Sequence, residues 1–248
     1  MRFLTSLLSA RFKAEVRSVK AEIKARKIAA DFARMSTGEI FSRIYSDRLW
    51  GRSDDPEQPF FSGTGSHDDR ITRVYVDSVV RFLETLPNRP DVVDLGCGDF
   101  NIGRQIRPFC NTFIACDIVP QLIDFNTRRF ADLDVDFRVL DLVTDPLPTG
   151  DIVFIRQVLQ HLTNDHIQQL VAKLAASYDH LILTEHLPHG DAFVPNLDKP
   201  ANSDIRLHLG SGVVLTQSPF NLKVLAEQVL CEVEEYGGTI RTTAYRLR

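Results

Sequence analysis

From residue 71 onward, short apolar runs alternate with longer amphipathic stretches. Residues 71–86 carry apolar side chains at helical spacing and stop at Pro87. Residues 91–95, 112–116, 136–140, 151–155 and 180–184 read as short strands. The intervals hold helices, at 120–130 and 165–178 for example. A strand followed by a helix and another strand closes into a parallel sheet, because the helix carries the chain back to the starting edge. The end breaks the rhythm. Residues 229–236, the pair Gly237 and Gly238, and residues 239–247 read as a β-hairpin. The expected fold is therefore α/β: a doubly wound, mostly parallel seven-stranded sheet with an antiparallel C-terminal hairpin, preceded by an N-terminal amphipathic helix.

In such sheets ligands bind beyond the carboxyl ends of the strands, near the switch in strand order. The loop after the first strand reads Asp94, Leu95, Gly96, Cys97, Gly98, Asp99, Phe100, Asn101. Gly96 and Gly98 allow a tight turn and a close approach of ligand to main chain. A dinucleotide fingerprint needs a third glycine where Asn101 stands, so that reading fails. Asp94 would repel a pyrophosphate and attract an ammonium group. Asp117 ends the second strand, about twenty residues beyond the glycines, the spacing at which a carboxylate accepts ribose hydroxyls. Asp141 ends the third strand, where it can meet an adenine amino group while Leu142 packs on the ring. Each acid alone also suits a helix cap or turn. Three at the ends of successive strands form a constellation.

This constellation resembles the class I S-adenosylmethionine-dependent methyltransferases over roughly residues 70–248. The resemblance implies S-adenosylmethionine as cofactor, a transferase activity, and Asp94, Gly96, Cys97, Gly98, Asp117, Ile118, Asp141, Leu142, Arg156 and Gln157 around the cofactor. Many relatives carry a glycine where this chain has Phe100. The departure is read as a variant turn with Asp99 or Phe100 near the methionine part of the cofactor. The connector, with Phe41, Ile44, Tyr45, Trp50 and residues 62–66, is similar to the preface of a bacterial subgroup linked to polysaccharide or small-metabolite modification. That likeness points to a small-molecule or glycan acceptor, methylated at oxygen. An oxygen acceptor needs its proton removed, and His161, just after the fourth strand, is the expected catalytic base. A histidine there also suits simple packing. The long irregular stretch 187–218 supplies further acceptor-side candidates: His189, Asp191, Arg206 and His208.

The remaining organisation follows from pattern and charge. Residues 1–35 read as one basic amphipathic helix, residues 36–70 as a loop-rich connector or lid, and residues 71–248 as the cofactor-binding domain. In the first segment Leu4, Leu8, Phe12, Val16, Val19, Ile23 and Ile28 face seven basic residues, which suits docking on the domain, peripheral contact with anionic lipid, or self-association through residues 1–30. Its start is a poor secretory leader, because Thr5 and Ser6 break the apolar run and Arg11 follows. The net charge of −4 does not favour a nucleic-acid partner. No CxxC pair or histidine cluster suggests a metal, and four scattered cysteines suit a reducing, cytoplasmic setting. Two other readings share the fold: a cofactor-binding regulatory module without transfer, and a methyltransferase of nucleic acid or protein.

Overall fold

A computed structural model of the protein describes residue 28, residues 30–190 and residues 192–248. Nearly all of the segment expected as a basic helix lies outside the described residues, and so does Asp191. The chain divides into Met1–Ser36 and a compact unit, Thr37–Arg248.

The compact unit is built on a seven-stranded sheet. Its strands are β1 (Val92–Leu95), β2 (Phe113–Asp117), β3 (Asp136–Val139), β4 (Ile152–Arg156), β5 (His180–Pro188), β6 (Ala226–Glu235) and β7 (Gly238–Arg246). Across the sheet the order is β3-β2-β1-β4-β5-β7-β6. β1 to β5 pair in parallel, and β7 inserts antiparallel between β5 and β6. The order reverses between β1 and β4, which opens a crevice at their carboxyl ends. Every residue of β1 is buried, as expected of a central strand covered on both faces. β3 lies at an edge and is largely exposed.

The helices form where the sequence pattern places them, with ends set by local caps. Helix α2 (Asp69–Glu84) follows α1 (Thr37–Ser46) and starts at Asp68, whose carboxylate accepts the Arg70 N–H. It buries Ile71, Tyr75, Val79 and Leu83 at i, i+4, i+8 and i+12. Tyr75, Val79 and Leu83 share one core cluster with Val92, Phe113, Ile152 and Ile182 from the sheet. Fully burying a side chain of this size contributes roughly 1.5–3 kcal/mol. After the one-turn α3 (Gly103–Ile106) come α4 (Pro120–Arg129), with proline at its first turn, and α5 (Asn164–Ser177), capped by the Thr163 side chain.

Two segments differ from the sequence reading. The connector contains α1, which buries Ile40, Phe41, Ile44 and Tyr45. Its ten residues are too few for periodicity to stand out among prolines and glycines. β5 runs four residues past Thr184, because β7 continues to pair with it as far as Gly238.

Candidate active site

The loop after β1 holds the glycine-rich turn. The Gly96 and Cys97 amides both donate to the Cys116 carbonyl, at 2.8 and 2.9 Å, which ties the turn to the end of β2. Gly98 takes a positive φ of 56° and lies so close to the connector that a Cβ there would sit 2.5 Å from Ser62 Oγ.

Of the two residues expected near the cleft in this turn, Asp99 lines it and Phe100 does not. The Phe100 side chain is fully buried. Its ring packs edge-on against Phe113, Phe130 and Phe137 at centroid distances of 5.6, 5.3 and 4.9 Å. Gly103 makes the room, since a Cβ there would lie 2.2 Å from the Phe100 ring. Burying a large ring thus explains the missing glycine, and the small residue reappears three positions later. The adjacent Asp99 does line the cleft, and it also accepts hydrogen bonds from Ser62 N at 2.8 Å and Asn101 N at 3.2 Å. His67 Nε2 lies 2.7 Å from the same carboxylate.

The three acids expected at the strand ends converge on one cavity of about 240 Å³. Asp94 is buried, and burial pushes its carboxyl up to about 7 against the opposing pull of the Arg156 guanidinium. Asp117 accepts the Gly98 and Val119 amides, each at 3.1 Å. Burial nonetheless raises its pKa to about 6. Asp141 accepts the Val143 amide at 2.8 Å, an Asx turn that fixes the chain as it leaves β3. Cys97, Ile118 and Leu142 line the same cavity, and burial raises the Cys97 thiol. The structure brings all these sequence-selected residues together.

Arg156, at the tip of β4, lines the same cavity as Asp94. Its guanidinium donates to Ser66 Oγ at 3.1 Å and to the Gly65 carbonyl at 2.5 Å, with its carbon 4.9 Å over the Tyr75 ring. Gln157 takes a positive φ of 54°, its amide donates to the Thr184 carbonyl, and its side chain lies against Gly65. Residues 62–66 therefore cover the glycine turn and are fastened from several sides. Besides Asp99 and Arg156, Tyr45 Oη lies 2.9 Å from Ser62 Oγ, and Asn101 Nδ2 donates to the Ser66 carbonyl at 2.7 Å.

A second wall of the same cavity consists of Trp50, His161, Ser203 and Ile205, and His186, Glu235 and Tyr236 also line it. His161 is buried, its ring centroid 5.1 Å from that of Trp50. Burial, assisted by Lys199, pushes its pKa down to about 3, so the imidazole is neutral at physiological pH. A free histidine would titrate near 6.5. Trp50 Nε1 donates to the Ser203 carbonyl at 3.3 Å, which joins the connector to the long segment after β5. His186 lines the cleft, whereas Glu185 lines a separate cavity, as the alternation along β5 requires.

The acceptor-side candidates from the 187–218 stretch behave differently. Arg206 is fully buried and donates to the carbonyls of Leu162 and Leu197, a structural tie. His189 pairs with Glu234 at 2.9 Å on the surface, and His208 is exposed. Ser203 and Ile205 line the cleft in their place. Their residue types carry no chemical signal that would have singled them out. Among the described residues no group of three or more His, Cys, Asp or Glu side chains is placed to hold a metal ion.

Sheet order, glycine turn and acids at three strand ends define the Rossmann-like fold of class I methyltransferases. Residues 93–180 match a family model described as a methyltransferase domain. No curated protein matches the sequence. Solved structures do match in fold. One is the N-methyltransferase NodS from Bradyrhizobium japonicum WM9, in complex with S-adenosyl-L-homocysteine. It is 12% identical with a TM-score of 0.60, over 84% of this chain and 98% of that one. Another is magnesium protoporphyrin IX methyltransferase from Synechocystis PCC 6803 with bound S-adenosylmethionine, 18% identical with a TM-score of 0.53, over 86% and 99%. A third is human N-acetylserotonin methyltransferase, 17% identical with a TM-score of 0.54, over 86% of this chain and 60% of that one. Over residues 93–180 the chain is similar to methyltransferase domains, and its fold is that of the class I S-adenosylmethionine-dependent methyltransferases.

Proposed function

We propose that S-adenosylmethionine binds in the cleft and that its methyl group passes to a small-molecule acceptor held against the Trp50–His161 wall. The observation that carries this reading is the convergence of Asp94, Asp117 and Asp141, from three adjacent strands, on one cavity that Trp50 and His161 also line. The donor set fits the cofactor group by group. Asp94 and Arg156 are opposite charges that match the ammonium and carboxylate of its methionine part. Asp117 retains lone pairs for the ribose hydroxyls, and Asp141 with Leu142 suits the adenine. Gly96, Cys97, Gly98 and Ile118 frame the cofactor by main-chain and apolar contact, and Gln157 borders the reacting end.

The cofactor supplies an activated methyl group on a sulfonium. The chain's own work is to align the acceptor atom with it and to exclude water. Residues 62–66 do the excluding, and the second wall does the aligning. His161 stands on that wall as a neutral imidazole whose conjugate acid forms only near pH 3. The methylated atom is an oxygen, as the subgroup likeness suggests, with His161 as the candidate base for its proton, or an amine nitrogen, which needs placing more than deprotonation. Two of the structural neighbours are by name enzymes of small molecules, magnesium protoporphyrin IX and N-acetylserotonin, which supports the acceptor class. A module that bound cofactor without transfer would need only the acidic half of the cleft.

Transfer of a labelled methyl group from S-adenosylmethionine into cell fractions tests the reading. We expect label in the small-metabolite fraction. Label confined to protein or RNA would contradict it.

A further inference from the structure

The chain leaving β3 forms one side of the cofactor cavity. Leu140, Asp141, Leu142 and Val143 all line it. Among the described residues, the stretch 140–151 between β3 and β4 contains no helix or strand. It has no hydrogen-bond ladder of its own, so its peptide groups need other partners. Part of the need is met locally. Asp145 N donates to the Asp141 carbonyl and Asp141 N to the Asp145 carboxylate, each at 2.9 Å.

Lys173 ties this loop to the helix layer. It stands on α5, beside the buried Leu170 and Leu174. Its Nζ donates to the carbonyls of Leu142, Val143 and Asp145 at 3.1, 2.6 and 2.7 Å. An ammonium has three N–H donors, and here they meet three main-chain oxygens of one loop. Burial lowers the pKa of Lys173, and Asp141 and Asp145 oppose that shift. The lysine also reaches the Asp141 side chain indirectly. Asp141 Oδ1 accepts the Val143 amide at 2.8 Å, and Val143 is one of the residues whose carbonyl Lys173 holds. A second tie lies further along the loop. Tyr178 Oη donates to the Pro148 carbonyl at 2.6 Å, but Pro148 is not among the residues lining the cavity.

We propose that Lys173 is a positioning residue for the cofactor: by gathering three carbonyls it fixes the loop after β3, so that Asp141 and Leu142 meet the adenine at a set place and select its amino group. This rests on the reading of the cleft as the S-adenosylmethionine site. It adds to adenine recognition a residue that does not itself line the cavity. Without the ammonium the three carbonyls must find other partners, and the loop shifts as they do.

The test separates adenine recognition from general stability. The full chain is titrated by calorimetry with S-adenosylhomocysteine and with S-inosylhomocysteine, in which an oxygen replaces the adenine amino group. We expect the parent to prefer S-adenosylhomocysteine at least about tenfold, because a carboxylate accepts from an amino group and repels an oxygen. Lys173→Met should bind S-adenosylhomocysteine at least about tenfold more weakly than the parent and lose most of that preference. Tyr178→Phe, which removes the other tie, should lower the Tm yet keep affinity and preference within about twofold. Should Lys173→Met fail to fold, Lys173→Gln decides by the same two readings. Parent-like affinity and preference in a folded lysine variant would overturn the proposal. So would an equal loss of both in Tyr178→Phe, or a parent that binds the two ligands alike. Each of these results leaves S-adenosylhomocysteine binding to the parent, and with it the cofactor reading, intact. A parent that binds neither ligand would overturn the cofactor reading and the proposal together.

Discussion

Asp117 does two jobs with one carboxylate, and that is visible only in three dimensions. It braces the glycine turn through the Gly98 amide and offers its remaining lone pairs to the cleft. We expect Asp117→Asn to fold and to bind S-adenosylmethionine at least about tenfold more weakly, since a hydrogen bond to a charged group contributes about 1.5–3 kcal/mol. Unchanged affinity, measured by calorimetry, would reduce Asp117 to a turn residue. Asp94 adds a pH dependence with a definite sign. In the free protein burial holds its carboxyl up to about 7, and an ammonium beside it favours the ionised form. Binding should therefore release a proton near neutrality, and affinity should rise as pH increases through 7. Calorimetry in buffers of different ionisation enthalpy reads the proton count. Uptake instead of release would show that Asp94 does not face the ammonium. Phe100 and Gly103 form a third residue-scale test. Gly103→Ala pushes a methyl group into the Phe100 ring. Overpacking of this kind costs about 1–3 kcal/mol, read as a lower denaturation midpoint. A neutral Gly103→Ala would mean that the aromatic cluster yields easily.

Among the elements, the stretch 62–66 lies against the glycine turn, and Asp99 is one of its anchors. Asp99→Ala removes the acceptor for Ser62 N and the partner of His67. We expect faster amide exchange over residues 60–67 and weaker cofactor binding, with the β1 to β5 core still protected. Unchanged exchange in that segment would show that it is held by Arg156, Tyr45 and Asn101 without Asp99. The sheet and the acids at its strand ends were legible in the sequence, because a period of two, a period of 3.6 and acids at strand ends are local patterns. The second wall was not. Trp50, Ser203 and Tyr236 come from the connector, the stretch after β5 and the hairpin tip, and only packing brings them together. Arg206 and His208 look chemical in sequence, yet one ties two backbone carbonyls and the other faces water. The third glycine could not be placed from sequence either, because its position depends on where the Phe100 ring is buried.

For the whole molecule, buried acids set how stability responds to pH. Burial raises Asp94 to about 7 and Glu185 to about 8, the latter opposed by Arg206. In the unfolded chain both ionise near 4, so between 4 and 8 the folded state holds more protons and loses stability as pH rises. His161, held down to about 3, acts in the opposite direction, but only below 6.5, where the unfolded histidine is itself protonated. From pH 6.5 to 8 the acids act without that opposition. We expect the Tm of the ligand-free protein to fall across this window and Glu185→Gln to flatten the fall. A rising Tm would show that Glu185 is ionised and well paired. The account as a whole stands on the cofactor cleft, and calorimetric titration of the full chain with S-adenosylmethionine tests it most directly. The expected result is saturable one-to-one binding in the micromolar range, common for substrate sites, weakened by Asp117→Asn and accompanied by proton release. No heat and no thermal shift with a folded parent protein would contradict it.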